Sequence, residues 1–253
     1  MKKLTTRDIR KLKGKALQML TCYDFQTAQL LNQSELDLIL VGDSLGNVVL
    51  GFDTTVPVTP AMMALFGAAV RRGAPDKFLV VDMPFGSYGT IGEALKTGRY
   101  LMQKTGAEAL KLEGAYPSEL EAITRMTQTG IAVMGHIGLT PQSVHQMGGY
   151  YTHGKNPARA QELLDEARRL EDAGCFSLVL ECVTPEISER ITQALSIPTI
   201  GIGSGEKVDG QVLVINDLFG MGAHTAPSFV KPVANLFQQR AELLKKYLQE
   251  RRG

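Results

Sequence analysis

The 253 residues carry 27 lysines and arginines against 26 aspartates and glutamates, a formal net charge of +1, with 44% hydrophobic and 21% charged residues. That balance is ordinary for a globular chain, and with no tryptophan, 6% aromatics and no basic stripe it offers no platform for nucleic acid. Cys22, Cys175 and Cys182 lack metal-type spacing, the basic start MKKLTTRDIRKLKGK runs into no apolar leader, and no run reaches the roughly 18 apolar residues of a membrane span, so a soluble, cytoplasmic protein with reduced thiols is expected.

Short apolar runs and helix-patterned stretches then alternate. ALQMLTCYD (16–24) reads as a first strand and FQTAQLLNQSE (25–35) as a helix. DLILVGD (37–43) is a second strand, followed by a long connection, 44–59. Thr59-Pro60, an N-cap with proline at the first helical position, opens a helix over 60–72. FLVVDMP (78–84) is a third strand, and the helix over 91–105 stops at Gly106. ALKLEG (109–114) is a fourth, and the helix over 117–129 stops at Gly130. IAVMGHIG (131–138) is a fifth, with a second long connection, 136–156. A charged amphipathic helix over 157–173, closed by Gly174, leads to FSLVLECV (176–183) and a helix over 185–195. IPTIGIGSG (197–205) and VLVIND (212–217) complete eight candidate strands, and a last helix spans 229–252.

Most of these runs are too short for helices, and several are nearly continuous in apolar residues, as strands buried on both faces are. Eight of them alternating with helices, without a linker, predict one (β/α)8 TIM barrel over residues 1–253; a doubly wound open sheet is the alternative. In a barrel the loops that follow strands gather at one mouth, where active sites form, and the two long connections belong to that set.

Acids recur at the strand ends: Asp24, Asp43, Asp82, Glu113, Glu181 and Asp217. Any one can be a helix N-cap or turn former, although glutamate is a poor turn residue. Asp43, Asp82 and Glu113 follow strands two, three and four, so they are neighbours around the ring and can converge on a hard cation such as Mg²⁺. Lys111 and Glu113 stand two apart and share a strand face, as an anion site beside a metal site or as a buried ion pair. Glu181 faces away from Cys182; a carboxylate taken out of water gains proton affinity, which makes Glu181 the candidate general base and leaves Cys182 a packing residue. His136 either touches a ligand or satisfies a loop carbonyl, while His145, His153 and His224 have no ligand spacing and read as surface or loop residues. The glycines of GIGSG (201–205) suit either an anion cradle or tight barrel packing.

LVGDSLGNVVLG, PVT, AAVRRGAP, VDMPFGSY, LKLEG, GHIGLTPQS, GGY, LVLEC and GIGSG…DGQVLV occur in the order found in the ketopantoate hydroxymethyltransferase family, which the chain resembles over about residues 17–230. The resemblance implies a barrel of the phosphoenolpyruvate/pyruvate-domain type, a homodecamer, and a place in pantothenate biosynthesis. It implies hydroxymethyl transfer from 5,10-methylenetetrahydrofolate to 3-methyl-2-oxobutanoate, giving 2-dehydropantoate and tetrahydrofolate. It also implies Mg²⁺ among Asp43, Asp82 and Glu113, a 2-oxo acid held by Asp43, Ser44, Asp82 and Lys111, and Glu181 as proton acceptor. Gly42 and Gly46 then read as room for the backbone to bend around the substrate. TCYD replaces the family's usual Thr-Ala-Tyr-Asp, GIGSGEKVDG departs from Gly-Ile-Gly-Ala-Gly, and GMGAHTAPSFVKPV is the loosest match; none of these touches the inferred metal or base positions. A related C–C lyase would bring a reactive cysteine on a Cys-Gly-His loop, which this sequence lacks, and a non-catalytic barrel would need neither Mg²⁺ nor Glu181. No basic residue is assignable to the glutamyl tail of a folate from the sequence.

Overall fold

The computed structural model describes residues 3–252, which divide into two compact units, one running up to Val212 and one from Leu213 on. The first opens on helix α1 (Thr6–Arg10), fixed by a reciprocal cap in which Thr5 Oγ1 accepts from Asp8 N and Asp8 Oδ2 accepts from Thr5 N. There follow β1 (Leu17–Thr21), α2 (Phe25–Asn32), β2 (Leu38–Val41), α3 (Leu45–Val48), α4 (Pro60–Gly73), β3 (Phe78–Asp82), α5 (Ile91–Thr105), β4 (Ala109–Glu113) and α6 (Pro117–Gln128). The chain continues through β5 (Val133–Gly138), a 3-10 turn (Pro141–Ser143), α7 (Val144–Met147), α8 (Pro157–Asp172), β6 (Ser177–Glu181), α9 (Pro185–Ala194), β7 (Thr199–Ile202) and β8 (Gly210–Leu213).

The strands form a closed parallel barrel in sequence order, β1 to β8, so the open-sheet alternative does not apply. The helix signals act as expected from their chemistry. Thr59 Oγ1 accepts from Met62 N at the start of α4, and Gly106 takes the left-handed conformation (φ 64°) that ends α5.

The inward rows of the strands change character with height. Phe78 and Val80 lead to Asp82, Ala109 leads to Lys111 and Glu113, Met134 leads to His136, and Val179 leads to Glu181, each at period two. The lower members join Leu17, Met19, Leu38, Leu40, Phe176 and Ile200 in one apolar cluster, with Ile9 of α1 packed into it. Phe78 and Phe176 meet there at a ring-centroid distance of 5.7 Å. This filled interior is a base on which the charged upper layer stands.

Two expected elements differ. The eighth strand lies at Gly210–Leu213 instead of 212–217, because Asn216 and Asp217 are poor strand formers and fall in the short helix α10 (Ile215–Leu218) of the second unit. Asp217 is therefore not a strand-end acid; its Oδ1 pairs with His224 Nε2 at 3.0 Å. The last helix, α11 (Leu236–Arg252), begins later than residue 229 and leaves Leu243, Leu244 and Tyr247 exposed. Among the described residues no helix is long and apolar enough to cross a membrane.

Candidate active site at the barrel mouth

Asp43, Asp82, Lys111, Glu113, His136 and Glu181 converge at the C-terminal ends of β2 to β6. Strand register sets Asp82 beside Lys111, Glu113 beside His136, and Gly138 beside Glu181. Lys111 Nζ lies 3.1 Å from Asp82 Oδ1, in ion-pair range but outside hydrogen-bond geometry, and 3.8 Å from Glu113 Oε1. Lys111 and Glu113 thus share a face, as their spacing predicts. His136 bridges the two ends of the cluster, with Nδ1 3.4 Å from Glu113 Oε1 and Nε2 3.3 Å from Glu181 Oε2. It contacts side chains of the site instead of a loop carbonyl. Ser44 sits just past Asp43, its hydroxyl 2.8 Å from Tyr23 Oη.

Crowding of buried charge shifts the proton affinities in opposite directions. Burial, then Asp82 and Glu113, hold Asp43 well above the usual carboxylate range, and burial also raises Asp82 although Lys111 opposes it. Burial pushes Glu113 up, but His136, Lys111 and the Gln142 N–H outweigh it and hold it low. Burial alone favours a neutral Lys111, but Asp82, Glu113 and Asp43 keep it firmly protonated. For His136, burial and Lys111 favour the neutral ring, yet Glu113 and Glu181 win and raise it to about 9. The 3.3 Å approach of Lys111 Nζ to His136 Nδ1 is a hydrogen bond only for the neutral ring. With a carboxylate at each nitrogen the protonated ring prevails, and the ammonium limits the rise.

The metal-free protein is expected to lose stability as the solution turns alkaline. A histidine raised from 6.5 to about 9 adds stability that is complete below pH 6.5 and disappears as pH climbs through 9. The size is roughly 3.5 kcal/mol at most, since a tenfold change in proton affinity is worth about 1.4 kcal/mol. Thermal melts from pH 6 to 10 are expected to fall more steeply for wild type than for His136→Gln; parallel curves would show that the ring is not held protonated.

Sequence reasoning missed Gln142, which lies in the long connection it singled out. Gln142 is buried; its Nε2 donates to Asp43 Oδ2 at 2.8 Å and to the Met83 carbonyl at 2.9 Å, its backbone N donates to Glu113 Oε2 at 3.2 Å, and its Oε1 accepts from Tyr88 Oη at 2.6 Å. One loop residue therefore ties together two acids supplied by different strands. The only signal for it was the segment GHIGLTPQS. The same connection pins the far side: His153 N donates to the Cys182 carbonyl, and Thr184 N to the His153 carbonyl. His153 is a loop residue as expected but buried, stacked on Tyr151, and not on the surface.

Glu181 is less enclosed than its strand position implied, with 18% of its side chain exposed toward the mouth. Its place is fixed by the backbone on both sides. Cys182 turns away in a left-handed conformation (φ 49°), a strained geometry for a non-glycine residue, and burial with Glu181 pushes its thiol up to about 11, so it is a packing group. Gly138 (φ 97°) presses so closely that a Cβ there would collide with the Glu181 carbonyl oxygen. Gly138→Ala is expected to cost about 1–3 kcal/mol and to displace the candidate base; a variant with wild-type Tm and turnover would contradict this.

Other expectations resolve as packing. Gly42 and Gly46 have no left-handed φ; a Cβ on Gly42 would crowd Ser44 Oγ at 2.8 Å, and one on Gly46 would meet Val58 Cγ2 at 2.7 Å, so they permit close approach instead of bending around a ligand. In GIGSG, Ser204 Oγ donates to the Leu180 carbonyl and accepts from Val183 N, and Gly205 packs on Pro185. Asp24 is the N-cap of α2, accepting from Thr27 N.

A family model described as ketopantoate hydroxymethyltransferase matches residues 3–253. A 3-methyl-2-oxobutanoate hydroxymethyltransferase of Lysinibacillus sphaericus (strain C3-41) is 47% identical over 248 residues, covering 97% of this chain and 88% of the relative. The chain belongs to the ketopantoate hydroxymethyltransferase family. Its barrel is shared more widely: phosphoenolpyruvate phosphomutase from Streptomyces platensis subsp. rosaceus superposes with a TM-score of 0.70 at 12% identity, covering 98% of this chain and 88% of that one. Phosphonopyruvate hydrolase, solved with oxalate and Mg²⁺, superposes with a TM-score of 0.63 at 11% identity, covering 98% and 99%. At that distance the likeness is one of fold alone, the closed parallel barrel with its surrounding helices.

Among the described residues no three His, Cys, Asp or Glu side chains form a ready-made metal cage. The donor chemistry still fits a hard dication. Asp43 and Asp82 are buried carboxylates driven toward protonation, and Asp82 Oδ1 has no hydrogen-bond partner. Mg²⁺ takes one or two carboxylates, keeps waters, and leaves positions for substrate oxygens, so it does not need a closed cage.

Proposed function

We propose that this chain transfers a hydroxymethyl group from 5,10-methylenetetrahydrofolate to 3-methyl-2-oxobutanoate, giving 2-dehydropantoate and tetrahydrofolate in pantothenate biosynthesis. The observation that carries the reading is the arrangement of Glu181, partly open to the mouth, next to the buried cluster of Asp43, Asp82, Lys111 and Glu113. In a chain of this family, that is a proton acceptor beside a site for an anionic 2-oxo acid. Asp43, Asp82 and Glu113 would hold Mg²⁺, and the hydrolase of like fold solved with oxalate and Mg²⁺ supports this choice. When bound, the metal supplies Lewis acidity that makes the C3–H next to the ketone more acidic.

The chain's own residues supply the rest. Lys111 balances the charge of the 2-oxo acid, and Ser44, Asp43 and Asp82 border the same space. Glu181 Oε2 removes the C3 proton, with His136 Nε2 beside that carboxylate in ion-pair range at 3.3 Å. Water breaks both C–N bonds of the folate's methylene bridge, freeing tetrahydrofolate and a one-carbon unit at the oxidation level of formaldehyde. The enolate carbon C3 adds to that carbon, and its oxygen takes up the proton that Glu181 removed to become the hydroxyl. The whole chain, 1–253, serves as one catalytic barrel domain, cytoplasmic and assembled as a homodecamer in keeping with its family. One assay tests the reaction: formation of 2-dehydropantoate from the 2-oxo acid with and without 5,10-methylenetetrahydrofolate. Folate-dependent product is expected; cleavage of the oxo acid, or no product, would sink the assignment.

A further inference from the structure

The segment VDMPFGSY contributes Asp82 to the site, but its second half has no part in the chemistry above. That half forms the loop between β3 and α5, and with α5 it walls a cleft of about 580 Å³ at the barrel rim. Phe85, 51% exposed, and Tyr100 supply aromatic surface. Ser87 also lines the cleft; it is 8% exposed, and its buried hydroxyl has no hydrogen-bond partner. Lys96 and Arg99 lie on the α5 wall, both exposed, and neither is engaged in any ion pair or side-chain hydrogen bond found among the described residues. Glu93, the acid in this lining, is occupied at the helix start, where its carboxylate accepts from Thr90 Oγ1 at 2.9 Å.

A second rim cleft, of about 610 Å³, lies between the ends of β4 and β5 and helix α8, and its two arginines are matched by two glutamates. There Arg159 pairs with Glu162 and Glu166, and Arg169 donates to the Asp165 carbonyl. An incoming polyanion would meet two carboxylates against two arginines in that cleft, but in the first two cations outside any ion pair against the single carboxylate of Glu93, beside Phe85 and Tyr100. Distance along the chain agrees. Helix α5 starts at the mouth, and at 1.5 Å per residue Lys96 and Arg99 stand about 8 and 12 Å along it. A ligand reacting near Asp82 would reach them through an extended tail.

We propose that the cleft between the β3–α5 loop and α5 seats the p-aminobenzoylglutamate part of the folate co-substrate, with its ring against Phe85 and Tyr100 and its carboxylates on Lys96 and Arg99. This rests on the folate-dependent reaction proposed above and assigns the tail site that the sequence leaves open. Each added γ-glutamyl unit brings another carboxylate to the same two cations, so polyglutamyl forms bind more tightly than the monoglutamate.

Charge reversal, Lys96→Glu with Arg99→Glu, tests the site on two surface residues outside the catalytic cluster. Calorimetric binding of tetrahydrofolate mono- and triglutamate to wild type and variant is the primary measurement. A loss of about ten-fold for the monoglutamate, and a larger one for the triglutamate, is expected. The variant keeps its KM for the 2-oxo acid and its folate-independent C3–H exchange. Binding of both folates within two-fold of wild type would overturn the cleft assignment while leaving the transfer reaction standing. A wild-type protein that binds no folate would overturn both. A parallel measurement on Arg159→Glu with Arg169→Glu closes the comparison: a greater loss there would move the tail to the second cleft.

Discussion

Glu181→Gln lowers C3–H exchange of 3-methyl-2-oxobutanoate by about 10²–10⁴-fold, the usual contribution of a positioned general base. The substitution keeps the shape of the side chain and removes only its capacity to take a proton. The exchange assay isolates that step, because it runs without folate and reads deuterium entering C3 from solvent. The KM for the oxo acid is expected to stay near wild type, since in the proposed reaction Lys111, and not Glu181, balances the substrate's charge. His136 provides an internal control. It loses one of the two carboxylates that hold it up at about 9, so its titration moves down in Glu181→Gln and can be followed by NMR. Exchange within three-fold of wild type would mean that another group takes the proton.

Asp82→Asn weakens Mg²⁺ binding by at least about ten-fold and turnover by about 10²–10³-fold, comparable to loss of one electrostatic element of an active site. Asp82 is placed for this by its last position in β3, where its Oδ2 accepts from Asp43 N at 3.0 Å and its Oδ1 faces Lys111. Fold damage is not the expected cause. Burial raises the proton affinity of Asp82, so the folded protein already carries its charge at a cost, and a neutral amide of the same size relieves that cost. The metal-free variant should therefore melt no earlier than wild type even as its Mg²⁺ response is lost. Normal Mg²⁺-dependent turnover in Asp82→Asn would remove this residue from the metal site. A low Tm would instead identify Asp82 as a partner that Lys111 needs for folding.

The site was legible in the sequence to the extent that it is built on strands. A strand has period two, so Lys111 and Glu113 had to share a face, and Asp82, Glu113 and Glu181, each the last residue of its strand, had to reach one mouth once the barrel closed. Asp24 and Asp217 show the limit of the rule. They occur after similar apolar runs, but one caps α2 and the other lies in α10, because a carboxylate near a strand end serves a helix start equally well. The difference between those outcomes lies in the path of the chain after the strand, which local composition does not fix.

What the sequence by itself determined is the alternation of strand and helix, the closed barrel implied by eight such units, and the acids along its inner rows. Those follow from backbone periodicity and the burial of apolar side chains, which act over a few residues. Only the tertiary structure decided how the acids are held. Gln142 reaches Asp43 across 99 residues of sequence, Tyr23 reaches Ser44 across 21, and His136 lies between Glu113 and Glu181. Such contacts leave no periodic trace, because each depends on where a loop returns to the barrel and not on the residues beside it. The same holds for Glu181, whose position is set by the close backbone of Gly138 and by the left-handed turn at Cys182.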